Sequence, residues 1–220
     1  MHITIKNLLK IDEKVKEKIS SDKNLIKLPN IIAVSKTFKL DHIMPLINYG
    51  HLHFGENKVQ EAVEKWTNVK KENKKIKLHL IGRLQTNKVK IAVNLFDYIH
   101  SLDSKKLADK ISIQQKEQNL KTKIFIQVNI GNEEQKSGIR VDETLDFYNY
   151  CKKINLDVLG LMCIPPYNEE SSKYFDEMNN LNDKLNLQEL SMGMSSDYLN
   201  AIEKGSTFVR IGSNIFGKRS

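Results

Sequence analysis

The chain has 220 residues, 40% of them apolar and 28% charged, enough to bury one sizeable core and far from the compositions of disordered or collagen-like chains. Its apolar runs, such as Ile31 to Val34, are only a few residues long, and Met1-His2-Ile3-Thr4-Ile5-Lys6 lacks the extended apolar stretch of a secretory leader, so no membrane span is expected and a cytoplasmic location is. The net charge of +8 raises the question of nucleic acid, while two well-separated cysteines, Cys151 and Cys163, offer neither a disulfide framework nor zinc-ligand spacing, and no metal site is expected.

In chain order, Leu8, Ile11, Val15 and Ile19 recur at helical spacing and predict a helix within 3–19, part of an N-terminal lead-in over residues 1–28 that ends near Pro29. Short β-prone runs then follow at 31–35, 52–54, 76–81, 98–102, 123–129, 157–163, 188–191 and 207–211. Between them lie amphipathic stretches, including Val59, Val63 and Trp66, then Leu145, Tyr148 and Cys151, then Phe175, Met178, Leu181 and Leu185. Eight strands alternating with helices predict an α/β chain: a single (β/α)8 TIM-type barrel over 31–217 with an additional N-terminal helix, all of 1–220 being one domain. A doubly wound open sheet is the alternative. The basic run Lys70, Lys71, Lys74, Lys75 and Lys77 follows the second of these helices, but no aromatics interleave it and no helix-turn-helix or zinc-finger spacing accompanies it. A solvated face is therefore expected there, and a basic nucleic-acid-binding module stays as the outlying alternative.

In a barrel of this kind the site is built from the C-terminal ends of the strands. Those ends carry Ser35-Lys36-Thr37, Gly55-Glu56-Asn57, Ile81-Gly82-Arg83-Leu84-Gln85-Thr86-Asn87-Lys88, Gln127-Val128-Asn129, Met162-Cys163-Ile164-Pro165-Pro166, Ser191-Met192-Gly193-Met194-Ser195 and Arg210-Ile211-Gly212-Ser213. Strand alternation gives Lys36 the parity of Ile32 and Val34, and gives Arg210 that of Phe208, so both cations are expected to point into the barrel. Cations there need an anion to meet them, and a phosphorylated ligand is the economical answer. Ser191-Met192-Gly193 and Gly212-Ser213, on the two strands that usually grip phosphate in this fold, can turn backbone N–H groups toward it, and Ser213-Asn214-Ile215-Phe216 can open a short helix. A lysine so placed is suited to imine formation with an aldehyde. The residues alone do not name that aldehyde; a Schiff-base aldolase acting on a sugar phosphate would use a similar arrangement. Cys151 is expected in the core, and Cys163 closes a strand whose end should face the site.

The strings Ile32-Ala33-Val34-Ser35-Lys36-Thr37, Phe54-Gly55-Glu56-Asn57, His79-Leu80-Ile81-Gly82-Arg83-Leu84-Gln85-Thr86-Asn87-Lys88, Lys136-Ser137-Gly138, Gly160-Leu161-Met162, Ser191-Met192-Gly193-Met194-Ser195-Ser196-Asp197 and Gly205-Ser206-Thr207-Phe208-Val209-Arg210-Ile211-Gly212-Ser213 occur in order. Together they resemble the pyridoxal phosphate homeostasis protein family, whose fold is similar to the barrel domain of alanine racemase, over about residues 31 to 217. The resemblance implies pyridoxal 5'-phosphate (PLP) held as a Schiff base on Lys36, with Asn57 at the cofactor. It also implies phosphate contacts from Ser191, Met192, Gly193, Gly212 and Ser213, and Arg210 facing the pyridine nitrogen. Leu78, where the family is often aromatic, and Gly212-Ser213, where it often reads Gly-Thr, depart from the pattern; the serine keeps the hydroxyl.

An arginine at the pyridine nitrogen disfavours its protonation and weakens the ring as an electron sink. The chain also ends soon after the eighth strand, without the further domain that supplies a second acid/base group in similar racemases. The expectation is a carrier of PLP in vitamin B6 homeostasis, not an enzyme, passing the cofactor to apo-enzymes and acting as a monomer. A small PLP-dependent racemase using His79 or a nearby tyrosine is the alternative.

Overall fold

The computed structural model describes residues 1–22, 25 and 27–217; part of the lead-in before residue 28 lies outside them. Eight parallel strands, β1 (Asn30–Val34), β2 (His53–Glu56), β3 (Lys77–Leu80), β4 (Tyr98–Leu102), β5 (Lys123–Val128), β6 (Val158–Cys163), β7 (Glu189–Met194) and β8 (Phe208–Ile211), form a closed barrel in sequence order. Closure comes from β1 pairing with β8, Asn30 opposite Phe208 through Ala33 opposite Ile211.

The strand alternation read from the sequence sorts side chains into two apolar layers. Ile32, Val34, Tyr98, Phe125, Met162 and Phe208 cluster in the barrel lumen. Their neighbours in sequence, among them Ile31, Ala33, Ile99, Ile126, Leu161 and Val209, join the larger layer beneath the helices. Leu78 belongs to that outer layer and His79 is buried beside the luminal Tyr98, as their opposite parity requires.

Helices α2 (Leu40–Tyr49), α3 (Val59–Glu72), α4 (Val89–Leu95), α5 (Lys105–Gln118), α6 (Thr144–Lys153), α7 (Ser172–Lys184) and α8 (Tyr198–Glu203) follow β1 to β7 in turn. The segment after β8 holds only α9 (Ser213–Phe216). Its place in the ring is taken by α1 (Ile3–Ser21), which packs against α2, α8 and α9. Leu8, Ile11 and Val15 form the buried stripe of α1, and Asn7 Nδ2 donates to the Ile215 carbonyl at 2.9 Å. Helix boundaries follow ordinary chemistry: the Ser104 hydroxyl caps α5 by accepting from Leu107 N–H, and Gly50 ends α2 at φ 97°.

Candidate functional site

At the C-terminal end of the barrel a cavity of about 660 Å3 opens, lined by Val34, Lys36, Asn57, Ile81, Arg210, Gly212 and Ser213 together with Phe38, Ile164, Tyr167, Met194, Ser195, Ser196 and Gly217. Of the residues singled out from the sequence, Lys36, Asn57, Arg210, Gly212 and Ser213 thus meet in one place. Lys36 is half-buried, on the turn that leaves β1.

That turn is braced from behind. Thr37 adopts φ 70°, a left-handed conformation unfavourable for a β-branched residue, and its N–H donates to Glu61 Oε1 at 2.6 Å. Lys65 Nζ donates to the Ser35 carbonyl at 2.9 Å and the Phe38 carbonyl at 3.3 Å, bridging both ends of the turn. The same ammonium pairs with Glu56 Oε1 at 2.7 Å and Glu61 Oε1 at 2.9 Å. Glu56 is fully buried; Ser35 Oγ and Trp66 Nε1 donate to its Oε1 at 2.7 and 3.0 Å, while its Oε2 has no hydrogen-bond partner. Burial raises the Glu56 carboxyl above the usual carboxylate range, against the pull of Lys65. None of this bracing was anticipated; its only trace in the sequence is the i,i+4 pair Glu61 and Lys65.

Arg210 is 5% exposed. Its Nη1 donates to the Ser191 carbonyl at 2.6 Å and to Ser191 Oγ at 2.9 Å, and its Nη2 to the Cys163 carbonyl at 2.8 Å. No carboxylate pairs with it among the described residues, and burial lowers its pKa from the ordinary arginine value. The guanidinium is therefore held by neutral groups, at a point where it lines the cavity.

Ser191, Met192 and Gly193 are placed differently from Gly212 and Ser213. β7 runs on to Met194, so Ser191 is buried inside the barrel against Arg210, and Met192 is buried in the outer layer. The part of this connection that lines the cavity is Met194, Ser195 and Ser196. The β-prone run ends at residue 191 in the sequence, which points to Ser191, Met192 and Gly193 as the ligands, whereas the strand continues to Met194 and carries Ser195 and Ser196 to the cavity.

The two glycines owe their identity to different causes. Gly193 has φ +88°, and a Cβ there would lie 2.5 Å from Ala201 Cβ in α8. The fold itself demands glycine at that position. At Gly212 an added Cβ would meet nothing closer than Val34 at 3.5 Å, an ordinary contact, so the protein leaves room there that it does not need for its own packing.

A second lobe of about 360 Å3 shares Lys36, Asn57, Ile81 and Ile164 with the first and adds Arg83, Gln127 and Lys136. Neither cysteine reaches these cavities. Cys163 packs in the outer layer with its thiol pushed up to about 12 by burial, and only its carbonyl serves the site. Cys151 is fully buried in α6. His79 is fully buried below Arg210's level and is not part of the cavity lining. Lys70 of the basic run is spent on Asp97 and the Leu95 carbonyl.

Comparison with known proteins gives the family. The family described as alanine racemase, N-terminal domain, matches residues 13–220. The pyridoxal phosphate homeostasis protein of Aquifex aeolicus is 40% identical over 217 residues, covering 94% of this chain and 93% of its own length. The human pyridoxal phosphate homeostasis protein is 40% identical over 212 residues, covering 87% of this chain and 77% of its own. The chain belongs to the pyridoxal phosphate homeostasis protein family. Within solved structures of similar proteins, PipY of Synechococcus elongatus, determined with PLP bound, superposes with a TM-score of 0.80 at 30% identity, covering 92% of this chain and all of PipY. Alanine racemase of Clostridium difficile, at a TM-score of 0.68 and 15% identity over 57% of its length, shares the barrel fold. This family member has no helix among its described residues long and apolar enough to cross a membrane.

Proposed function

We propose that this protein binds PLP at the C-terminal mouth of the barrel, covalently through a Schiff base at Lys36, and serves as a reservoir that passes the cofactor to apo-enzymes. The observation that carries the reading is that Lys36 lines one cavity with the open glycine at Gly212 and with the buried Arg210, whose guanidinium hydrogen-bonds to the neutral Ser191 and Cys163. The residues fit the group: an amine for its aldehyde, a donor-only side chain for its ring nitrogen, and Gly212, Ser213, Ser195 and Ser196 around room for its phosphate. Names of the relatives and the PLP-bound PipY structure support the same ligand.

When bound, the cofactor supplies an electron-withdrawing ring conjugated to an imine. Arg210 donates hydrogen bonds and carries charge, which favours an unprotonated ring nitrogen and damps that withdrawal. Lys65 and Glu61 hold the turn that carries Lys36, and Asn57 and Ile81 flank the amine's approach. Of the acid/base candidates for a racemase, His79 lies outside the cavity lining and Tyr167 lines it but is 97% exposed, which favours holding over turnover.

Colour tests the reading directly. Purified protein, as isolated or after addition of PLP, is expected to be yellow, to bleach with borohydride, and to carry the reduced pyridoxyl mass on the peptide containing Lys36. Lys36→Ala is expected to lose the fixed mass. A colourless protein that takes up no added PLP overturns the proposal, and a robust racemization rate abolished by Lys36→Ala overturns the carrier role.

A further inference from the structure

Below Arg210 the lumen holds a run of polar contacts that the binding of PLP does not use. His53 Nδ1 lies 3.0 Å from His79 Nε2, His79 Nδ1 lies 2.8 Å from His100 Nε2, and His100 Nδ1 lies 2.9 Å from Ser191 Oγ. Ser191 Oγ in turn accepts from Arg210 Nη1 at 2.9 Å. The rings are held in place by neighbours: His79 stacks on Tyr98 with centroids 4.3 Å apart and planes 6° apart, and His100 stacks on Phe125 at 4.3 Å and 12°. His79, His100 and Ser191 are fully buried, whereas His53 is partly exposed and lines a separate cavity of about 300 Å3 at the N-terminal end of the barrel.

The direction of these bonds follows from the one member that can only donate. A guanidinium has no acceptor, so Ser191 Oγ must receive from Arg210. The buried Ser191 hydroxyl then needs an acceptor for its own hydrogen, and among its contacts in the described residues that acceptor is His100 Nδ1. An imidazole that accepts at Nδ1 carries its hydrogen at Nε2, which obliges His79 to accept at Nδ1, and the same step repeats at His53.

We propose that His53, His79 and His100 form a single-tautomer column, all Nε2–H, which together with Ser191 acts as a set of positioning residues for Arg210 and couples the N-terminal end of the barrel to the cofactor face. The groups around the column are consistent with its staying neutral. His53 faces His51, Lys77 and Asp97, and burial with the first two brings it to about 4. His79 faces His100, His53, Lys70 and His51, and His100 faces Arg210 and His53; burial first, then these neighbours, lowers both well below the ordinary histidine value. The coupling to the cofactor rests on the reading under Proposed function; the tautomer pattern does not.

The test begins with the full chain without added PLP, its histidines labelled with 15N, by long-range proton–nitrogen correlation at pH 7. His53, His79 and His100 are expected as neutral Nε2–H tautomers; an Nδ1–H tautomer or an imidazolium at any of the three overturns the column. Ser191→Ala removes the donor to His100, and is expected to shift the ring nitrogens of His79 and His53 as well as His100, with Ser191→Thr restoring them. Shifts confined to His100 mean three independently packed rings and overturn the column too. For the cofactor arm, PLP is added to His100→Phe and His100→Gln. The phenylalanine keeps the stacked ring without its polar atoms, and is expected to move the absorption maximum of bound PLP. Glutamine, with one acceptor and one donor, returns it. An unchanged maximum in both variants, or in Ser191→Ala where His100→Phe fails to fold, overturns the coupling. Failure of the unaltered chain to bind PLP overturns both the coupling and the proposed function, while the nitrogen spectra still decide the column.

Discussion

Gly193 and Gly212 lie at neighbouring strand ends and would pass for interchangeable phosphate-loop glycines, yet a single methyl group separates them. In Gly193→Ala the added Cβ meets Ala201 at 2.5 Å in a positive-φ backbone, so a loss of at least about 1–3 kcal/mol is expected in urea unfolding. Gly212→Ala, with room at 3.5 Å and φ −112°, is expected to keep its stability within about 1 kcal/mol and to lose about tenfold or more in PLP affinity, read by absorbance titration. Equal stability losses in the two variants would show that Gly212, too, is demanded by the fold. At this scale the sequence exposed the inward cations well, because strand parity carries Lys36 from Ile32 and Val34, and Arg210 from Phe208. It misplaced the cavity-facing part of the β7 connection. Gly193 reads as a turn residue, whereas the chain uses it inside the strand to approach α8, moving the exposed serines on to Ser195 and Ser196.

At the scale of elements, α3 does more than pack against β2 and α4. Its Lys65, 11% exposed in side chain, joins the buried Glu56 of β2 to the turn after β1. Lys65→Met leaves Glu56 without its cation, and is expected to cost about 3–5 kcal/mol and to loosen the Lys36 turn, slowing borohydride-trappable PLP uptake. Lys65→Met combined with Glu56→Gln is expected to recover most of the stability and little of the uptake, since the bond to the Ser35 carbonyl stays lost; denaturation and trapping measured on the two proteins separate these effects. The alternation of strands and helices was legible because each strand buries both faces and each helix one stripe. The bracing was not, because it joins Ser35, Glu56, Glu61 and Lys65 across three elements, and periodicity describes only one element at a time. The luminal His53 and His100 escaped for a related reason: they sit at apolar positions of their strands, where polar residues gain meaning only from partners on other strands.

For the molecule as a whole, acid is the sensitive condition. His53, His79 and His100 all have folded-state pKa values below the ordinary 6.5, His53 at about 4. As pH falls below about 6.5 the unfolded chain takes up these protons first, so stability is full above that point and declines toward pH 4, by at most about 1.4 kcal/mol per pH unit for each histidine. Urea midpoints at pH 7.5 and 5.0 should differ accordingly, and a variant with His79→Phe and His100→Phe should flatten the difference; an acid-insensitive midpoint would contradict the burial of these rings as neutral species. The ring of helices has its own dependence. Because α1 stands where a helix after β8 would stand, removing residues 1–22 uncovers the seam between β8 and β1, and is expected to yield insoluble or dye-binding protein in place of a cooperative fold, checked by circular dichroism and 8-anilinonaphthalene-1-sulfonate fluorescence.

That borrowed helix has a consequence in time. α1 leaves the ribosome before any strand, but the surface it covers is completed only when β8 has paired with β1, the longest-range strand pairing in the barrel. Every earlier βα unit can collapse locally as it is made; the seam cannot. Closure therefore waits for a loop spanning nearly the whole chain, which makes it a late and slow event, and Arg210 and Gly212 arrive on that last strand and its loop. On the proposed site, the newborn chain presents Lys36 well before Arg210 and Gly212, and PLP added during refolding is therefore expected to speed the appearance of the closed barrel only in its final phase.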